Sequence, residues 1–271
     1  MVNKMTDNRN YDQNAVLVEK KGAIAHLKFN RPFAMNSVNG DLCLGLCRHL
    51  AELEQDDKIR AVVLSGEGKC FCAGGDLQTI DEICSSEADD IYSRLRKDFN
   101  AIERLYNFSK PTIAAIHGRV MGGGCGFSAA CDFVYADENT VFGFPFLDLG
   151  ILPDMGVLFV VTQRIGLPAA RKSMLLGESI NAKKAETLGL VDKVTAQGKY
   201  LEEAFAIAEK LADKFPSAVQ FTKNHLNQIA TLRFSESLER EIQQQSLLWC
   251  TPQVKLRMKE IIQEFSQRKK K

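Results

Sequence analysis

The chain lacks a charge imbalance, a long apolar run and any paired spacing of metal ligands. Its 35 basic and 34 acidic residues leave a net charge of +1, so nothing draws it generally to polyanions and no nucleic-acid partner is expected. The one concentrated basic run, the terminal "QRKKK", reads as a solvated tail. No apolar stretch approaches the roughly 18 residues of a membrane helix, so no membrane partner is expected. Eight cysteines, at 43, 47, 70, 72, 84, 125, 131 and 250, form no CxxC pair. Histidine-rich spacing is missing too, so no metal is expected, and the thiols read as reduced, buried or inert. No glycine-rich turn is followed by Lys-Ser/Thr and none matches GxGxxG, which argues against a nucleotide loop. The opening "MVNKMTDNRNYDQN" is polar, without an apolar core, and residues 1–13 read as a frayed leader rather than a targeting peptide. The end is not a peroxisomal Ser-Lys-Leu signal. A cytoplasmic enzyme or binding protein is the expectation.

What is present fits an α/β core followed by helices. The 271 residues, 45% hydrophobic and 25% charged, suit one large domain or a core with a smaller appended region. "AVLVEKKGAIAHLKF" alternates around a Lys-Lys-Gly break and predicts a hairpin. Leu42, Leu46, Leu50 and Leu53 repeat at helical spacing. "IRAVVLSG", "PTIAAIHG", "FVYADE", "VFGFP" and "LVDKVT" read as strands, with an apolar helix over "MGVLFVVTQRIG" ended by Gly166. From Leu201 the strands stop, and four successive helical segments follow, the last opening on Thr251 and Pro252 as N-cap and N1. The organisation expected is therefore a core over 14–200 and a helical region over 201–271, whose apolar stripes need a neighbour to cover them.

Two glycine-rich turns stand out. "KCFCAGGDLQTI" places Ala-Gly-Gly before an aspartate that can cap a helix, and "HGRVMGGGCGFSAACDF" places three glycines at the start of a short helix. Glycines let a ligand lie against main-chain N–H groups, and helix N-termini leave such groups unpaired. Either turn alone reads as a tight packing point. Together, converging on one spot, they would form a two-donor oxyanion hole. The stretch "FGFPFLDLGILPDMG" adds Asp148 and Asp154 among apolar neighbours. Asp154 precedes an apolar helix and on pattern alone reads as its N-cap. Asp148 reads as a strand–loop edge residue or the partner of a basic group.

The order "KCFCAGGDL", "KPTIAAIHGRVMGGGCGFSAACDFVYADENTVFGFP", "LGILPDMG" and "SINAKKAETLGLVDKV" resembles the enoyl-CoA hydratase/isomerase, or crotonase, superfamily. The resemblance covers nearly the whole chain. It implies an α/β fold with a crotonase-like ββα superhelix core and a C-terminal helical trimerisation region, assembling as a homotrimer or a dimer of trimers. It implies an acyl-CoA thioester as substrate and no separate cofactor. The oxyanion amides fall on Gly75 and Gly123. The CoA-binding turn falls on Ala73, whose carbonyl would meet the adenine, with Asp76 and Leu77. Lys69, Arg268 and Lys269 are further candidates for the CoA phosphates.

The resemblance also shows a departure. Hydratases of the family hold water with two glutamates, and the matching positions here are Gly126 and Phe146. Asp154 instead matches a position where family isomerases, including ones of phenylacetate catabolism, carry a single acid. One carboxylate can take a proton from C2 and return it at C4, because taking the proton makes it the acid. Desolvation by Phe146, Leu152 and other apolar groups would raise its pKa. The expected activity is isomerisation of 3-enoyl-CoA to 2-enoyl-CoA, or of a related ring-derived acyl-CoA, within fatty acid or phenylacetate metabolism. The alternatives are an enoyl-CoA hydratase (a lyase) and a non-catalytic acyl-CoA-binding homologue. Phe144, Phe146, Leu158 and Phe159 hint at a hydrophobic acyl group.

Overall fold

The structure, a computed structural model, describes residues 12–229 and 231–268, so most of the expected leader lies outside the described residues. Two compact units divide the chain, Met1–Asp213 and Lys214–Lys271.

The first unit opens with β1 (Val16–Lys21) and β2 (Ile24–Phe29), paired antiparallel through a turn at Gly22, whose φ is +59°. α1 (Gly40–Glu54) is capped by Asn39, which accepts from the Leu42 amide at 3.0 Å. Its four periodic leucines are all buried. β3 (Ala61–Gly66) follows, then α2 (Leu77–Cys84), α3 (Ala88–Tyr106), β4 (Thr112–Ile116) and the short β5 (Arg119–Met121). α4 (Gly123–Ala130), β6 (Phe133–Asp137) and β7 (Val141–Gly143) lead to α5 (Val157–Leu176). α5 is broken at Gly166, with φ 73° and ψ 159°, where the sequence expects a helix to end. β8 (Ile180–Asn181), α6 (Ala182–Leu188), β9 (Lys193–Thr195) and α7 (Tyr200–Ala212) complete the unit.

The large sheet runs β1-β2-β3-β4-β6-β9, parallel after the first hairpin, and a small sheet joins β5, β7 and β8. Parallel strands are covered on both faces and therefore read as continuous apolar runs. β3 shows this by alternation. Val62 and Leu64 face the main core with α1, α3, α4 and α5, while Ala61 and Val63 join Ala204 and Ala208 of α7 on the other side. Phe29, Phe71 and Phe127 stack edge-on or tilted at the centre of the main core, with ring centroids 5.3 and 5.4 Å apart. Each such fully buried side chain contributes about 1.5–3 kcal/mol. The division between units falls after α7, because this helix is amphipathic toward the sheet.

The second unit holds α8 (Pro216–Gln228), α9 (Phe234–Cys250) and α10 (Pro252–Arg268). Thr251 caps α10, its hydroxyl accepting from Val254 N–H at 3.4 Å. α8 and α9 border a cavity of about 680 Å³ lined by Phe221, Leu226, Ile242 and Trp249 among others. Among the described residues, no helix is long and apolar enough to cross a membrane.

Candidate active site

Residues 72–76 run as a ribbon between two other backbones. On one edge Val38 N–H donates to the Gly74 carbonyl at 2.7 Å, and Asp76 N–H donates to the Val38 carbonyl at 3.0 Å. On the other, Met121 N–H donates to the Cys72 carbonyl at 2.9 Å. Every described peptide bond is trans, and a trans peptide points its C=O and N–H in opposite directions. The Gly74 carbonyl faces Val38, so the Gly75 N–H faces the Met121–Gly123 side. Gly74 makes this reversal possible with a φ of +97°, a conformation side chains disfavour.

The Gly123 amide lies at the first position of α4, behind Gly122, which has φ 48° and ψ −120° and supplies no side-chain cap. First-turn amides have no intrahelical acceptor. The two turns meet closely: a Cβ on Gly122 would stand 3.6 Å from the Gly74 Cα, and one on Gly74 would stand 3.2 Å from the Met121 carbonyl oxygen. The structure thus brings together two glycine turns that are far apart in sequence.

The Asp154 loop closes onto the same place. Met155 and Gly156 both adopt left-handed backbone, with φ 47° and 73°, which is costly for methionine and characteristic of functional loops. The Met155 side chain reaches within 3.0 Å of where a Gly123 Cβ would be. α5 is capped by Gly156, with no side-chain cap. The Asp154 carbonyl accepts from Val157 N–H at 2.9 Å, but its carboxylate does not cap the helix, which corrects the capping expectation. The reason is the left-handed pair, which inserts a turn between Asp154 and the first helical residue.

Burial pushes the Asp154 carboxyl up from 3.8 to about 6, its own main-chain N–H offsetting a little of that rise. No ion pair to it occurs among the described residues. Burial also raises the Cys43 thiol well above its usual value, with Asp98 adding to the rise. Between α1 and α3 lies a cavity of about 220 Å³ lined by Leu44, Cys47, Arg94, Lys97 and Asp98.

The other expected residues fall as follows. Phe146 is buried, its ring tip 3.5 Å from a Cβ placed on Gly122. Leu152 is 70% exposed and so is not a buried apolar wall beside the acid. Ala73 is half-buried and its N–H donates to the Met35 carbonyl at 3.0 Å. Asp76 caps α2, accepting from Gln78 and Thr79 amides at 3.1 and 3.4 Å. Leu77 and Lys69 are exposed on the surface. The Arg268 side chain and Lys269 lie outside the described residues. Asp148 is exposed, with no basic partner among the described residues. Phe144 is core, and Leu158 and Phe159 are exposed.

The sequence reading missed the loop 31–39, which supplies Val38 and Met35 to the ribbon. Its signal was the "NRPFAMNS" stretch, taken only as the end of a hairpin.

Residues 19–271 match the model of a family described as enoyl-CoA hydratase/isomerase. The chain belongs to that family. It is 34% identical over 236 residues to the 2,3-dehydroadipyl-CoA hydratase of Escherichia coli, covering 87% of this chain and 91% of the relative. It is likewise 34% identical over 215 residues to the short-chain-enoyl-CoA hydratase of Clostridium acetobutylicum, covering 79% and 81%. The crystal structure of an enoyl-CoA hydratase from Polaromonas sp. JS666 superposes with a TM-score of 0.88 at 27% identity, covering 92% of this chain and 97% of that one. The α/β architecture is therefore the crotonase fold, and an acyl-CoA thioester is the substrate type that fits this family.

Proposed function

We propose that this protein is an enoyl-CoA isomerase that moves a 3-double bond of an acyl-CoA into conjugation at C2. The observation that carries the reading is Asp154. It is a single carboxyl with a pKa raised to about 6, on a loop packed against the Gly123 turn. The positions that hold water-activating glutamates in hydratases carry no acid, being Gly126 and Phe146.

The steps balance with one acid. The Asp154 carboxylate takes the C2 proton, and the C–H electron pair moves through C2 into the thioester carbonyl, giving a dienolate. The Gly75 and Gly123 amides hold its oxygen, worth about 2.7–4 kcal/mol of transition-state stabilisation for each donor. Protonated Asp154 then returns the proton at C4, the carbonyl re-forms and the double bond rests between C2 and C3. A pKa near neutrality suits both halves of this shuttle. Ala73, Asp76 and Leu77 form the turn that would seat the CoA. The exposed apolar side chains of Leu226, Ile242 and Trp249 in the second unit support self-association, as a trimer or a dimer of trimers.

The test is incubation with a 3-enoyl-CoA while following the ultraviolet absorbance of the conjugated thioester. Absorbance growth that Asp154→Asn abolishes supports the isomerase. Hydratase is the second reading, favoured by the names of the E. coli and C. acetobutylicum relatives. It predicts loss of the conjugated absorbance when a 2-enoyl-CoA is supplied. Tight acyl-CoA binding without turnover of either substrate would instead mark a binding protein.

A further inference from the structure

The Gly75 turn is held from behind by a buried ionic network that no catalytic role explains. Arg31, only 9% exposed, directs one guanidinium nitrogen to the Ser37 carbonyl at 2.5 Å and the other to Asp76 Oδ2 at 3.0 Å. The Ser37 hydroxyl donates to the same Asp76 oxygen at 3.0 Å. Asp76 Oδ1 meanwhile accepts from the α2 amides. Asp76 is the residue after Gly75, so both of its oxygens and its backbone are fixed.

The loop that carries Arg31 is itself over-determined. Met35 and Asn36 are both left-handed, with φ 51° and 54°. The Asn36 side chain accepts from Arg31 N–H at 2.8 Å and donates to the Glu67 and Cys70 carbonyls at 2.8 and 2.9 Å. Strain of this kind persists only where surrounding contacts hold it. The same loop grips the ribbon through Met35 and Val38 on either side of Gly74.

We infer that Arg31 is a positioning residue, which through Asp76 and the Ser37 carbonyl sets the direction of the Gly75 amide toward the substrate carbonyl. This rests on the two-amide reading above. A guanidinium spans two acceptors in a fixed fork, and an ammonium is a single point charge that cannot hold both in the same geometry. Arg31→Lys therefore keeps the charge and loosens the turn. A misplacement near 1 Å of a catalytic group costs about a hundredfold, so kcat for 3-enoyl-CoA falls roughly ten- to a hundredfold, more than any rise in KM from a loosened Asp76.

The deciding measurement is the thioester carbonyl stretch of a bound 2-enoyl-CoA, read by difference infrared spectroscopy. Hydrogen bonding to that oxygen lowers the frequency, and the reading needs no turnover. The unsubstituted protein lowers it, and Arg31→Lys and Ser37→Ala each recover part of the free-ligand frequency. Ser37→Ala removes only a hydroxyl and serves if Arg31→Lys does not fold. Full wild-type frequency in the folded variants, with only melting temperature reduced, overturns the inference and leaves the two-amide reading standing. No shift in the unsubstituted protein sinks that reading and this inference with it.

Discussion

The carbonyl oxygen of Met155 occupies the space that a side chain on Gly126 would need. A Cβ built there overlaps that oxygen and comes within 3.3 Å of Val157 Cγ2. The obstacle is backbone, fixed by the left-handed Met155–Gly156 pair. Position 126 is therefore closed to a glutamate by the same loop that brings in Asp154.

Replacing Gly126 by glutamate should destabilise the fold without creating a hydratase. Overpacking against backbone costs about 1–3 kcal/mol, and an unpaired buried carboxyl adds to it. The denaturant midpoint should fall and 2-enoyl-CoA hydration should not appear. A variant of wild-type stability that hydrates its substrate would show that the loop yields easily.

Asp154→Asn should separate activity from stability in opposite directions. Proton-transfer catalysis is typically worth 10²–10⁴-fold, so isomerisation should fall by about that factor. Stability at pH 7 should rise by about 1–2 kcal/mol, after discounting for partial exposure, because an ionised half-buried carboxyl is removed. The sign follows from the raised pKa. Below 3.8 both folded and unfolded chains carry the neutral acid, and above about 6 both carry the anion. Stability from this group is thus lost as pH rises through that window. In the unsubstituted enzyme kcat/KM should climb through pH 6 to a plateau, and an Asp154→Asn protein without rate loss would refute the shuttle.

His26 pulls the other way. Burial holds its imidazole down from 6.5 to about 4, with Lys28 adding to the effect. Its Nε2 pairs with Ser65 Oγ at 2.8 Å, and its Nδ1 has no hydrogen-bond partner among the described residues. Between about 4 and 6.5 the unfolded chain binds the proton that the folded one refuses, so stability falls as pH drops across that range, by about 2–3 kcal/mol. Urea titrations of His26→Gln should show a flatter acid limb. An unchanged limb would mean that the ring takes up its proton without unfolding.

Arg164 should prove structural. Its guanidinium donates to the Ala129, Cys131 and Asp132 carbonyls at 3.0, 2.6 and 3.1 Å, and to Asp192 at 3.1 Å. It thereby satisfies the carbonyl end of α4, whose other end presents the Gly123 amide. Arg164→Met leaves those carbonyls unpaired and should cost about 2–4 kcal/mol. Thermal unfolding checks it, and a melting temperature within a degree of wild type would contradict the assignment.

The sequence carried the strands and helices well wherever burial imposed a period. The leucines of α1 and the apolar runs of β3 and β4 are legible because one or both faces are covered. The Gly75 and Gly123 turns were visible as glycine clusters, and their meeting was not, since it depends on Val38 and Met121 pairing to either edge of the ribbon. That the Asp154 carboxylate leaves the helix uncapped was not legible from its local pattern, because no local rule anticipates a methionine in left-handed backbone. Such a residue is held there by tertiary contacts with Gly123 and Gly126. The pairing of Arg31 with Asp76 was hidden for a similar reason, the two lying 45 residues apart.

The placement of α7 bears on how the polypeptide is made. Ile24, Ala61, Val63, Ile113 and Ala115 are covered chiefly by α7, through Ala204 and Ala208 with Tyr200, Leu201, Phe205, Ile207 and Leu211 packed beside them. While the ribosome is still translating those last residues, one side of an assembled parallel sheet stands naked and sticky. Messages truncated just upstream of Tyr200 should therefore yield insoluble material, and the nascent chain has its greatest need of chaperones in that interval.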